Sequence, residues 1–230
     1  MRPLDLVHAQ GFTDVNGKLV ADLGYGGIGH LRLLASLGAH VTGIDPDSYL
    51  SALYAERRDQ GSVPAARDVR RGSSGSITLA HGFWPKDAKL IERVGQGFDL
   101  MLSKNTLKKG YVKPDRKIDK RQMVDLGVSD EVFLKAVFNA LNPGGMMMIY
   151  NISPKQQDKG YNPQADGRSP YTREQFEKAG FSVIAYNAAD DAAIRQIGHA
   201  LRWDRNAGDE AVDMDGSLFA MYTLVRRPDR

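Results

Sequence analysis

The chain has 230 residues, of which 42% are hydrophobic and 26% charged, and its net charge is +3. That balance suits one α/β-sized domain over residues 1–230, and it permits anionic partners without requiring nucleic acid. There is no cysteine, which excludes disulfides, thiolate zinc sites and a cysteine nucleophile. No apolar run spans a bilayer and no signal peptide is visible, so a cytoplasmic protein away from membranes is expected.

Residues 1–17 form a short lead, in which His8, Gln10, Phe12 and Thr13 are expected to make a brief helix and turn against a ligand pocket. An apolar run through Val20 and Ala21 to Leu23 then reads as the end of a buried strand. Gly24, Gly26 and Gly29 follow in G-x-G-x-x-G spacing, ahead of a helix with Leu31, Leu33, Leu34 and Leu37 on its apolar face. Strand, glycine turn and helix make the first half of a nucleotide-binding unit. Residues without Cβ let a ligand approach the backbone, and the helix start offers free N–H groups. His40 to Asp45 reads as a second strand ending in an acid. That acid lies about 20 residues on, where a carboxylate accepts from two ribose hydroxyls; the other reading is a cap for the helix starting near Pro46.

Asp47 to Arg58 reads as a helix with Leu50, Leu53 and Tyr54 inward, and Gln60 to Ser76 as a surface loop. Arg67, Arg70 and Arg71 are either a basic patch or solvated. Ser76 to Gly82 is a strand followed by Phe83 and Trp84, which either pack on a base or belong to the core. His81 is a candidate base or a structural strand-end residue. Pro85 to Val94 reads as a helix and Gly97 to Ser103 as a strand. From Lys104 to Gly127 the chain is long and basic, with Lys108, Lys109, Lys113, Arg116, Lys117, Lys120 and Arg121. It is read either as a cover for carboxylate- or phosphate-bearing substrates or as a solvated charge run. Ser129 caps a helix over Asp130 to Leu141, with Val132, Phe133, Val137 and Leu141 inward. Met146 to Ile152 is a central strand, and Ser153 to Pro170 a second long loop. A helix from Thr172 to Gly180, a strand over Phe181 to Tyr186, a helix over Asp190 to Leu201 and a last strand over Ser217 to Val225 complete the chain.

Asp22-Leu23-Gly24-Tyr25-Gly26, Asp45, Phe98-Asp99 and Leu141-Asn142-Pro143-Gly144-Gly145 together resemble the class I S-adenosylmethionine-dependent methyltransferases. The resemblance implies an α/β fold: a doubly wound, seven-stranded, mostly parallel sheet with helices on both faces and the last strand antiparallel at the edge. It implies S-adenosylmethionine as cofactor, with Asp22 organising the loop around its methionine end. Cofactor contacts are expected from Asp22, Gly24, Tyr25, Gly26, Gly29, Asp45, Pro46, Gly82, Phe83 and Ser103. Lys104, Asn105 and Thr106 are expected to face the transferred methyl. His81, Lys104 and Tyr111 are the candidate catalytic residues, with Asn105 orienting the acceptor. Residues 104–129 and 153–171 are the expected active-site loops.

The chain departs from the family in two places. Ile28 stands at a common third glycine, and Phe83 follows Gly82 where an acid usually receives the adenine amino group. After the fourth parallel strand it has Ser103-Lys104-Asn105-Thr106, not the Asn/Asp-Pro-Pro-aromatic motif of DNA-base methylation. No acidic metal ligands stand there either, so neither DNA-base methylation nor a metal is expected. The implied activity is methyl transfer to a small, anionic or neutral acceptor. Two alternatives stay open: an NAD(P)-dependent oxidoreductase, which the turn Gly26-Gly27-Ile28-Gly29-His30 and Asp45 would suit, and a non-catalytic nucleotide binder.

Overall fold

Eight strands carry the fold in a computed structural model that describes residues 2–66, 73–205 and 213–229. They are β1 (Leu19–Leu23), β2 (His40–Asp45), β3 (Gly61–Val63), β4 (Gly75–His81), β5 (Phe98–Lys104), β6 (Leu141–Pro154), β7 (Ser182–Ala189) and β8 (Leu218–Arg226). All belong to one sheet in the order β3-β4-β2-β1-β5-β6-β8-β7. β4, β2, β1, β5 and β6 run parallel. β8 is antiparallel to both β6 and β7.

Two details differ from expectation. The eighth strand is β3, antiparallel to β4 and drawn from the segment read as a loop; three residues are too few to show a periodic pattern. The last strand is antiparallel but not at the edge, because β8 inserts between β6 and β7.

The helices are α1 (Arg2–His8), α2 (Gly29–Ser36), α3 (Ser48–Leu53), α4 (Ala88–Val94), α5 (Lys109–Val112), α6 (Asp130–Ala140), α7 (Arg173–Lys178), α8 (Asp191–Ala200) and α9 (Met214–Ser217). Strand side chains alternate between two cores. Ala21, Leu23, Met101, Met147 and Ile149 meet Leu90, Phe133, Val137 and Phe176 of α4, α6 and α7. Val20, Leu100, Leu102 and Met148 meet Val7, Leu31, Leu34 and Ile194 of α1, α2 and α8. Both faces are covered, which is why these strands read as continuous apolar runs.

Helix faces shift slightly from the pattern. Leu33 and Val132 point outward, while Leu34 and Leu134 are buried; each helical position is rotated by about 100° from the one before, so Leu33 and Val132 fall outside the arc held by Leu31 and Leu34 on one helix and Phe133, Leu134 and Val137 on the other. The helix after β2 ends at Leu53, and the chain then makes a separate short turn at Arg57–Asp59. Leu53 is exposed rather than inward.

The N-terminal turn lies elsewhere than expected. Gln10 to Asp14 line a cavity with Lys18, Asp99 and Gly145, toward the amino ends of β1, β5 and β6, and with Arg226 at the carboxyl end of antiparallel β8. This is the opposite edge of the sheet from the glycine turn. Arg2 anchors α1 through paired bonds of 2.7 and 2.8 Å to Asp190, which also accepts from the Tyr150 hydroxyl at 2.9 Å. Arg67, Arg70 and Arg71 lie outside the described residues.

Candidate functional site

β1 is flanked by β2 on one side and β5 on the other, so the chain winds away from it in both directions. Ligands of open α/β sheets bind in the crevice beyond the carboxyl ends of such strands. A pocket of about 170 Å³ opens there. Leu23 and Gly24 line it from the end of β1, Asp45 and Pro46 from β2, Gly82 to Trp84 from β4, and Thr106 and Leu107 from beyond β5. Val124, Asp125 and Leu126 of the long basic loop cover it, and Phe133 of α6 closes its floor.

Asp45 is nearly buried, at 8% exposure. Its Oδ1 accepts from the Asp47 amide at 3.0 Å and its Oδ2 from the Gly26 amide at 3.4 Å. The glycine turn and the acid are therefore held together, and lone pairs remain on both oxygens. Burial raises the Asp45 pKa, opposed by those two backbone N–H groups. The ring of His81 packs on Tyr25 at 6.2 Å. Burial lowers the His81 pKa, aided by Arg93 and opposed by Asp45, and the net lowering favours the neutral imidazole. Tyr25 is buried with no partner for its hydroxyl. Burial first, and Asp45 second, push its pKa upward.

The two aromatic residues after Gly82 separate. Trp84 is buried against the edge of Phe133 at 5.9 Å, and its Nε1 has no partner. Phe83 is 47% exposed at the pocket wall. Gly26 adopts φ of 60° with open space where a Cβ would stand, whereas a Cβ on Gly24 would strike the Thr106 side chain. The first glycine of the motif thus makes room for the neighbouring loop, and the second leaves room for a ligand.

Beside the pocket, Asp22 is fully buried at the end of β1. Lys104 of β5 and His30 of the first turn of α2 both bind its Oδ2. Lys104 Nζ and His30 Nε2 lie 2.9 Å apart. Asp22 Oδ1 is buried without a partner. His30 is absent from the expected site residues; its only signal is its place immediately after Gly29. Asp125, Leu126 and Phe133 also lie outside the expected set, because only the folded loop brings them to the strand ends.

The remaining expected residues have structural partners. Ser103 Oγ accepts from the Leu107 amide at 3.1 Å. Asn105 takes φ of 61°, and its Oδ1 accepts from the Ile152 amide at 2.7 Å. Thr106 Oγ1 donates to the Gly24 carbonyl at 3.3 Å. Gly29 opens α2, whose start has no side-chain cap. Tyr111 sits on α5, under the Lys108 ammonium at 5.4 Å from its ring centre.

Much of the basic loop is already engaged. Lys109 pairs with Asp115 at 2.8 Å, Lys113 with Asp130, and Arg121 with Asp119 at 2.5 Å. Lys108 is buried on the Ile152 and Gln164 carbonyls. Arg168 of the second loop reaches Asp115 at 2.6 Å and Asp166 at 2.7 Å. Among the described residues no group of three His, Asp or Glu side chains is gathered as for a metal.

No family model matches the chain, and no curated protein is similar to it in sequence. Solved structures are similar in fold. The [4+2]-cyclase SpnF superposes with a TM-score of 0.54 at 15% identity, over 99% of this chain and 80% of that one. A phosphoethanolamine N-methyltransferase 2 of Haemonchus contortus, complexed with phosphomonomethylethanolamine and S-adenosylhomocysteine, gives 0.51 at 15% identity. Its match covers 99% of this chain and 53% of that one, so this chain spans about half its length.

The chain has the class I methyltransferase fold. The likeness is one of fold; the strand-end pocket and the Asp22 cluster both stand at the carboxyl end of β1. Among the described residues no helix is long and apolar enough to cross a membrane.

Proposed function

We propose that the chain binds S-adenosylmethionine at the strand-end pocket and transfers its methyl group to a small acceptor. The observation that carries this reading is Asp45, held by the Gly26 amide inside a pocket walled by Gly24, Pro46 and Gly82. The residues fit an adenosine group. Asp45 keeps acceptor capacity for two ribose hydroxyls. Gly26 leaves open backbone for close approach, and Trp84 Nε1 is a buried donor lacking an acceptor. Pro46, Gly82 and Phe83 would flank the base, and Asp125 on the covering loop offers the acid missing after Gly82.

When bound, S-adenosylmethionine supplies an electrophilic sulfonium methyl. The protein's part is then alignment and exclusion of water, and alignment alone accounts for about 7–11 kcal/mol in favourable cases. Val124 to Leu126 and Leu107 line the pocket and would shield a bound nucleoside from solvent. His81 stands beside Asp45 and Tyr25, which supports a role in holding the ribose acid rather than in proton removal. Lys104 and Asn105, at the end of β5, are the candidates for meeting the acceptor. Tyr111 supports the loop that covers the site. An acceptor whose nucleophile is already deprotonated needs no protein base.

Calorimetric titration with S-adenosylhomocysteine and with NADH tests the reading. Binding of the first alone supports it, and binding of NADH alone overturns it. Labelled methyl transfer to a panel of small amines, carboxylates and phosphates then tests the chemistry. A second reading is a nucleoside binder without methyl transfer, since Lys104 already holds the Asp22 carboxylate and a fold does not determine a reaction. Binding with no transfer to any of the panel favours it.

A further inference from the structure

Asp22 has a single negative charge, no exposure to water, and a cation of the protein's own already on it. Lys104 reaches it from the neighbouring strand: Leu102 is paired with Asp22, and Lys104 lies two residues further on the same face. The Lys104 side chain is 23% exposed and the His30 side chain 20% exposed, so both reach solvent while Asp22 is buried beneath them. A buried carboxylate stripped of its cation is strongly destabilising. In the free protein Lys104 supplies that cation. Gly24, two residues after Asp22, is also a wall of the pocket that suits adenosine. A nucleoside there that carries an ammonium on its 5′ side arrives beside a carboxylate already neutralised, and beside a like charge.

We propose that Lys104 is a displaceable internal counter-cation. It closes the Asp22 site in the free protein, and a ligand ammonium can bind Asp22 only by displacing it. The proposal rests on the nucleoside reading of the pocket. Displacement costs the ligand the Lys104 pair, so the ammonium contributes little net affinity in the native chain. It also swings the Lys104 amine outward, to the end of β5, only when an ammonium-bearing nucleoside is present. Asp22 thereby couples recognition of the ligand's amino-acid end to the presentation of Lys104.

The test compares S-adenosylhomocysteine with its deaminated analogue, which keeps the carboxylate and lacks the ammonium. Calorimetry on the native chain should give affinities within about threefold of each other. In Lys104→Met, S-adenosylhomocysteine should gain ~10-fold over the analogue, as expected for a newly available close charge pair. It should also raise the variant's melting temperature more than the analogue does, because the ligand restores the missing cation. Lys104→Arg keeps the charge and adds a donor for Asp22 Oδ1, and should shift the ratio the opposite way; it serves if the methionine variant does not fold. The proposal is overturned if Lys104→Met weakens both ligands alike, which makes Lys104 a receptor for the carboxylate. An unchanged ratio in both variants overturns it too. Either result leaves the nucleoside reading standing. If neither nucleoside binds the native chain or a variant, that reading fails and the proposal fails with it.

Discussion

The Val124 amide donates to the Tyr111 carbonyl at 3.0 Å, and this bond sets the covering strip Val124–Leu126 over the strand-end pocket. Tyr111 is itself placed by α5, which docks on the second loop: the Lys109 amide meets the Arg168 carbonyl at 2.8 Å, and the Gly110 amide meets the Asp166 carbonyl at 3.2 Å. The two long loops are one folded unit, and its contact with the pocket passes through that unit.

Gly110 is the tightest point of the docking. A Cβ there would collide with the Pro163 carbonyl, and backbone has little freedom to yield. Gly110→Ala is expected to cost about 1–3 kcal/mol, as overpacking does. Hydrogen exchange should show lost protection in residues 108–113 and 163–168 together. Nucleoside affinity should fall as the cover loosens. Loss of protection in only one of the loops would show that they fold separately.

Lys108 gives the same unit a pH signature. It is 2% exposed, and burial lowers its pKa from 10.5 to about 8, opposed by Asp166. Between those values the unfolded chain holds the proton and the folded chain does not. Stability therefore rises with pH from about 8 to about 10.5, and the penalty for burying the charge is fully present below about 8. The gain is on the order of 2–3 kcal/mol. Urea unfolding of the native chain and Lys108→Met, at about pH 7 and about pH 10, reads it as a difference of differences. The native chain should gain relative to the variant; parallel behaviour would sink the assignment.

Asp45→Asn keeps the shape of the side chain and removes its charge. Charged hydrogen bonds contribute about 1.5–3 kcal/mol, so S-adenosylhomocysteine should bind ~10- to 100-fold more weakly. The folded chain should keep its melting temperature within a few degrees, because burial already opposes the Asp45 charge. Calorimetry and a thermal melt on the same sample check both parts. Full affinity in the variant would remove Asp45 from the ribose.

Asp125 tests how the base is read. Its Oδ1 accepts from the Gly127 amide at 2.8 Å, which orients the carboxylate at the pocket rim. Asp125→Ala should lower the preference for adenosine over inosine by ~3- to 10-fold, the size of one exposed hydrogen bond to a charged group. Competition binding with the two nucleosides measures it. An unchanged preference would leave the base to Trp84 and the backbone.

The glycine turn, the acid at the end of β2 and the apolar strand runs were legible because each is local. Strand alternation, helix start and turn chemistry are written over a few consecutive residues; Gly24 and Asp45 both line the strand-end pocket, and the Gly26 amide donates to Asp45. Helix faces were less so: Leu33 and Val132 were expected inward and point out, because the apolar residues span more than one face and only packing decides which of them turn to the sheet.

What the chain's own order of residues determined is the run of apolar strands, the glycine turn after the first of them and the acid at the end of the second, because periodicity and turn chemistry are local; the sheet was expected from the family resemblance, and the position of β8 and the presence of β3 were not. What only tertiary structure decided is who neutralises whom. Lys104 meets Asp22 across 82 residues of separation, Asp125 reaches the pocket from the far end of a loop, and Lys109 and Lys113 of that loop are bound to Asp115 and Asp130. Charge pairing depends on distance in space, falling off within a few ångströms of contact, and sequence spacing carries no record of it.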